Sequence, residues 1–167
     1  MQSLSPTLAW HDARTYIYAL AFTLAGIALP ALCHLIPHGG LSLLPIYFFT
    51  LIAAYRFGWR TGLLTALLTP LANHLLTAMP PAAMLPAILT KSLLLAAFAA
   101  LVAARSRRPL WLGLVVVVAA YQLAGSLLEW AYTGSLAAAL QDVRLGLPGI
   151  LLQIGGGWLV LRKWGAM

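Results

Sequence analysis

A chain of 167 residues that is 62% hydrophobic and only 8% charged cannot clothe a water-facing surface, because a soluble domain carries about 25% charged residues. Its formal charge of +7 comes from Lys and Arg dispersed along the sequence, so it forms no basic face of the kind that binds nucleic acid. Its apolar runs are continuous and lack the alternation of a transmembrane barrel. What remains is an all-α polytopic membrane protein, a single integral membrane domain over residues 1–167 with the lipid bilayer as its surroundings. At about 20 residues per spanning helix, the length accommodates six helices.

Residues 1–14 form a polar tail, and they lack the apolar core of a cleavable leader. The first helix is expected over 15–36, with Pro30 kinking its outer half. Pro37-His38-Gly39-Gly40 reads as a turn. A short second helix is expected over 42–55, a corner at Phe57-Gly58-Trp59-Arg60, and a third helix over 61–79, broken by Pro80-Pro81. The fourth helix is expected over 84–104 and the fifth over 110–132. The long connection 133–146 has room for a short helix, and the sixth helix covers 147–161. Gly155-Gly156-Gly157 lies in an apolar run and reads as close helix packing. The single cysteine, Cys33, excludes an internal disulfide.

Positive charge orients such a bundle. Arg14, Arg56, Arg60, Arg105, Arg107, Arg108, Arg162 and Lys163 fall on alternate connections and on both tails. The opposite connections carry only Arg144, with Asp142 two residues before it. The expected topology is therefore six spans with both termini cytoplasmic. Trp59, Trp111 and Trp164 then read as anchors on the cytoplasmic side.

Polar groups at membrane depth are costly and serve helix contacts or a ligand. They gather toward the outer half. Asn73 and His74 lie in the third helix, with Thr69, Asn73 and Thr77 on one face by their spacing. Lys91 in the fourth helix and Glu129 in the fifth fall at comparable depth and are natural partners. Gln122, Ser126 and Glu129 share a face, and Gln153 lies in the sixth helix. Asn73, His74, Lys91, Gln122, Glu129 and Gln153 are the candidate substrate-binding residues. The bland alternative is that Asn73 ties two helices and Lys91–Glu129 is a satisfied helix contact. Trp130 and Tyr132, near a helix end, read more simply as interface anchors.

Enzyme chemistry finds little support. Three acidic residues, one of them in the tail, cannot build a carboxylate-bound metal site with a general base. No phosphate-binding loop, metalloprotease helix or nucleophile elbow occurs, so no catalytic residue, metal or cofactor is expected.

The hairpin that ends T-G-L-L-T-A-L-L-T-P-L-A-N-H-L-L-T-A-M-P-P resembles the substrate-binding S component of an energy-coupling factor (ECF) vitamin transporter. Thr69-Pro70, Asn73-His74 and Ala78-Met79-Pro80 carry the likeness, together with length and topology. The resemblance implies a high-affinity binding subunit in a bacterial inner membrane, working with an ECF transmembrane subunit and two ATPase subunits. It implies a pocket beneath the connections 37–41, 79–83 and 133–146. It also implies that Ala21, Ala25 and Ala28 on the first helix dock the transmembrane partner. A cobalamin-type solitary S component, with Cys33, His34 or His74 as a cobalt ligand, is a variant of a second reading, a stand-alone facilitator. An intramembrane hydrolase using Ser and His is a third.

Overall fold

The computed structural model describes residues 7–33, 35, 39–105 and 109–165. Every regular element among them is helical: α1 (Ala13–Cys33), α2 (Gly39–Leu43), α3 (Pro45–Phe57), α4 (Trp59–Thr77), α5 (Leu85–Arg105), α6 (Leu110–Thr133), α7 (Leu136–Ala139), α8 (Gln141–Leu145) and α9 (Leu147–Gly165). A 3₁₀ turn, Ala82–Met84, leads into α5. Three stretches are long and apolar enough to cross a membrane: Ala13–Cys33, Ala82–Arg105 and Leu110–Thr133. They point to a membrane protein, as do the apolar side chains turned outward, among them Ile17, Leu24, Leu75, Leu123 and Leu151.

The helix starts and stops follow from local chemistry. Asp12 caps α1 by accepting the Arg14 backbone N–H at 2.9 Å. The Arg14 guanidinium also donates to it, which holds the Asp12 carboxyl below its ordinary range. Gly58 alone separates α3 from α4, at φ +92°, where a side chain would be strained and would crowd Thr7. Gly134 ends α6 at φ +66°.

The second predicted helix differs most from expectation. Gly39 and Gly40 open the short α2 and do not form a turn, and the chain then breaks at Leu44 in the left-handed region, φ 46° and ψ 47°. Pro45 follows at the head of α3, where its missing N–H costs nothing. With 13 residues α3 is about 20 Å long at ~1.5 Å per residue, short of a ~30 Å hydrocarbon core. The first predicted helix ends at Cys33, and the rest of its predicted span, 34–36, lies outside the described residues apart from Leu35. The connection 133–146 holds two short helices, α7 and α8.

Helix α3 is the hub, packed against α1, α4, α5 and α9, so Thr50, Leu51, Ile52, Ala53 and Ala54 are buried in succession. Small residues let the neighbours come close. A Cβ on Gly62 would strike Ala54, and one on Gly26 would lie 2.6 Å from Thr69 Cγ2. In the predicted glycine triplet, Gly156 and Gly157 sit near Phe48 and Leu51, while Gly155 faces open space. At one end of the bundle an aromatic cluster joins α1, α3 and α9: Tyr18 stacks on Phe57 at 4.2 Å, and Trp164 packs edge-on against Phe22 and Phe57. Arg60 tethers the N-terminal segment there, donating to Leu8 O at 3.1 Å.

Candidate functional site

A cavity of about 280 Å³ opens at the other end of the bundle, near the lower edge of the ~300–1,000 Å³ usual for small-molecule sites. The break between α2 and α3 forms one wall through Gly40, Leu44, Pro45, Ile46 and Tyr47. Irregular backbone at membrane depth is tolerated where it lines such a cavity. The Met79-Pro80-Pro81 turn and Met84, Ala87 and Ile88 close the opposite side. Ala138, Gln141 and Asp142 reach in from the 134–146 connection.

One charged group is enclosed here. The Lys91 side chain is 3% exposed, with its Nζ 2.7 Å from Glu129 Oε2 and 2.8 Å from Asp142 Oδ2. The Asp142 contact is an aligned hydrogen bond, whereas Glu129 Oε2 is close without that alignment. Three pieces of local structure assemble the group. Lys91 stands two turns into α5, and Glu129 stands one turn before the Gly134 cap of α6. Ser135 then caps α7 by accepting the Ala138 N–H, and the chain turns back so that Asp142 enters from the first turn of α8. Gly125 makes the room: a Cβ there would lie 2.6 Å from Lys91 Cγ.

The other predicted site residues divide. Asn73 lines the cavity and is buried, but its Nδ2 donates to Gly26 O at 3.0 Å and to Thr69 O at 2.9 Å. The amide therefore ties α1 to α4 and leaves only its carbonyl oxygen to offer a ligand. His74 is half-buried outside the lining, with Nδ1 2.8 Å from Pro80 O. Gln122 and Gln153 lie outside the lining too. Tyr121 Oη donates to Gln153 Oε1 at 2.9 Å and accepts from Gln122 Nε2 at 3.0 Å, joining α6 to α9. Tyr47, whose ring lies 5.6 Å from that of Tyr121, links that network to the cavity lining. Ala21 and Ala28 are exposed and Ala25 is half-buried, on the side of α1 turned away from Gly26. Cys33 is buried away from the cavity lining, and His34 lies outside the described residues.

Sequence reasoning left Asp142 with Arg144 on an outer connection. Its approach to Lys91 depends on the connection folding back over the cavity. The one sequence signal is scarcity: the chain has three acidic residues in all, and Asp142 is the acid that falls on the outer connections. Tyr47 and the Leu44–Pro45 break were missed for a different reason: apolar residues beside a proline do not advertise a ligand. Among the described residues no three His, Cys, Asp or Glu side chains converge as a metal-ligand set. Comparisons with protein-family models, curated proteins and solved structures found no match to the chain.

Proposed function

We propose that the protein is the substrate-binding membrane subunit of an ECF-type importer for a vitamin-sized micronutrient, in a bacterial inner membrane. In this reading six segments span the bilayer, counting the broken α2–α3 as one, with both termini on the cytoplasmic side. The observation that carries the reading is the cavity beside the Lys91–Glu129–Asp142 group, in which the ammonium is buried and the two acids are half-buried. Ionisable groups within a membrane bundle mark ligand pathways, and a largely apolar pocket with a few convergent polar groups is the usual form of a small-molecule site. The cavity lies at the end away from Arg56, Arg60, Arg105, Arg162 and Lys163, as uptake from outside requires. Beneath it Leu51, Ile52, Leu95, Leu114 and Val117 fill the bundle. A plugged interior suits a binding subunit that needs an energising partner better than a facilitator with a path through it. The volume suits a one- or two-ring molecule, and a corrinoid is several times larger.

The test is affinity purification from the native membrane, with mass spectrometry of both proteins and small molecules. A transmembrane subunit, two ATPases and a stoichiometric small molecule are expected. Isolation alone and unliganded, with downhill flux in liposomes lacking any ATPase, would replace this reading with a stand-alone facilitator.

A further inference from the structure

We infer that the occupant of the cavity is a small organic cation: an apolar ring body bearing one positively charged nitrogen. This rests on the reading of the cavity as a ligand site and goes beyond it in fixing the charge of the ligand. The charged side chains among the described lining residues are Lys91, Glu129 and Asp142. One positive and two negative charges leave the pocket with a net charge of −1. An uncompensated charge in an apolar enclosure is costly, and a partner of opposite sign removes that cost. A monocation brings the pocket to neutrality, whereas an anion would raise the imbalance to −2.

Accessibility points the same way. The Lys91 side chain is 3% exposed, against 13% for Glu129 and 17% for Asp142. The ammonium is the least accessible of the three side chains and is held by both acids, so the more open charged groups that an entering molecule meets are the carboxylates. Asn73 adds to that character, since both its amide hydrogens are held by Gly26 O and Thr69 O. The acids and the Asn73 carbonyl thus offer acceptors, beside the Gln141 amide and the Tyr47 hydroxyl, which suits a ligand rich in donors. The apolar part of the wall includes Pro30, Leu44, Ile46, Met79, Met84 and Ile88, which suits an apolar body. Methionine, in addition, makes favourable contacts with aromatic rings. Lys91 apart, the features that would draw an anion are the Gln141 amide, the Tyr47 hydroxyl and the first turn of α3, whose dipole end lines the cavity at Pro45–Tyr47, and none of these carries a full charge. Pro45 contributes no N–H there, and the Tyr47 N–H bonds to Leu44 O at 3.2 Å.

The experiment uses the full chain in nanodiscs of zwitterionic phosphatidylcholine, so that the lipid surface does not select for charge. Three probes of similar size are compared by thermal shift and by tryptophan-fluorescence titration: phenethylammonium, 2-phenylethanol and 3-phenylpropionate. Phenethylammonium is expected to bind at least tenfold more tightly than 3-phenylpropionate, with 2-phenylethanol between them. Asp142→Asn, which brings the pocket to neutrality, is expected to cut the preference for the cation by about tenfold, the scale of one charged hydrogen-bond partner. Equal or tighter binding of 3-phenylpropionate overturns the inference and favours the α3 dipole. Binding of 2-phenylethanol as tight as that of the cation overturns it in favour of a purely apolar site. If none of the three binds the folded wild-type protein, the ligand-site reading itself falls. The ranking on wild-type protein decides these outcomes even if the variant does not fold.

Discussion

Lys91 and Asp142, 51 residues apart in the chain, meet with Nζ 2.8 Å from Oδ2. The contact fastens the 134–146 connection to the mouth-side half of α5, and Glu129 completes the pairing from α6. Three elements therefore depend on one buried ammonium.

Removing that ammonium leaves two carboxylates facing each other in an apolar setting. Breaking a buried ion pair from one side typically costs about 3–5 kcal/mol. Lys91→Met is expected to lose stability on that scale, read as the thermal unfolding midpoint in nanodiscs. The triple change Lys91→Met, Glu129→Gln, Asp142→Asn removes the stranded charges and is expected to recover most of the loss. A wild-type midpoint for Lys91→Met alone would show that the group is not enclosed as described.

Gly125 tests the same group without touching its charges. Because a Cβ there would overlap the Lys91 stem at 2.6 Å, Gly125→Val must displace the lysine. Overpacking of this kind costs about 1–3 kcal/mol, and binding at the cavity is expected to weaken along with stability. Gly155→Ala, where the added carbon meets nothing within 4 Å, serves as the control. Equal behaviour of the two variants would remove the role assigned to Gly125.

Asn73→Ala deletes two hydrogen bonds between helices and within α4. Membrane hydrogen bonds average about 0.6 kcal/mol, so a stability loss of about 1 kcal/mol is expected. Gly26→Val, which forces α1 away from Thr69, is expected to cost more, about 1–3 kcal/mol. Chemical unfolding of both variants checks the order, and the reverse order would mean that the amide and not the close approach holds this seam.

Orientation is tested by labelling single cysteines in a Cys33→Ala background. Trp59→Cys and Ala83→Cys lie at opposite ends of the α4 hairpin and are both exposed. The charge distribution predicts that Ala83→Cys reacts with an impermeant maleimide in intact cells and that Trp59→Cys reacts only after lysis. Labelling of both from the same side contradicts the proposed topology.

Coupling to an energising module is tested on the outer face of α1. Ala21→Trp and Ala25→Trp are expected to abolish uptake while leaving ligand affinity unchanged, because their stripe turns away from Gly26 and the core. Normal uptake by both variants would show that the partner docks elsewhere.

The all-helical class and the approximate helix spans were legible in the sequence. Runs of apolar residues, the Gly58 corner and Pro80-Pro81 act locally, through backbone conformation and transfer from water, and need no distant partner. The positions of Lys91 and Glu129 could be counted along their helices from Pro80-Pro81 and the α6 end, so their comparable depth was readable as well. The proposed six-segment arrangement rests on that same charge and length logic. Other features were decided only by the tertiary structure. The packing of α6 against α9 sets Tyr121 against Gln153 and leaves Gln122 and Gln153 outside the cavity lining. Helical spacing fixes which residues share a face, but packing fixes what that face meets. The break at Leu44 arises where α2 meets α9 so closely that Gly149 lies against the Leu43 backbone. Asp142 reaches Lys91 only because α7 and α8 fold the connection back over the cavity. No local pattern encodes that long-range closure, and it determines the charge that a ligand would meet.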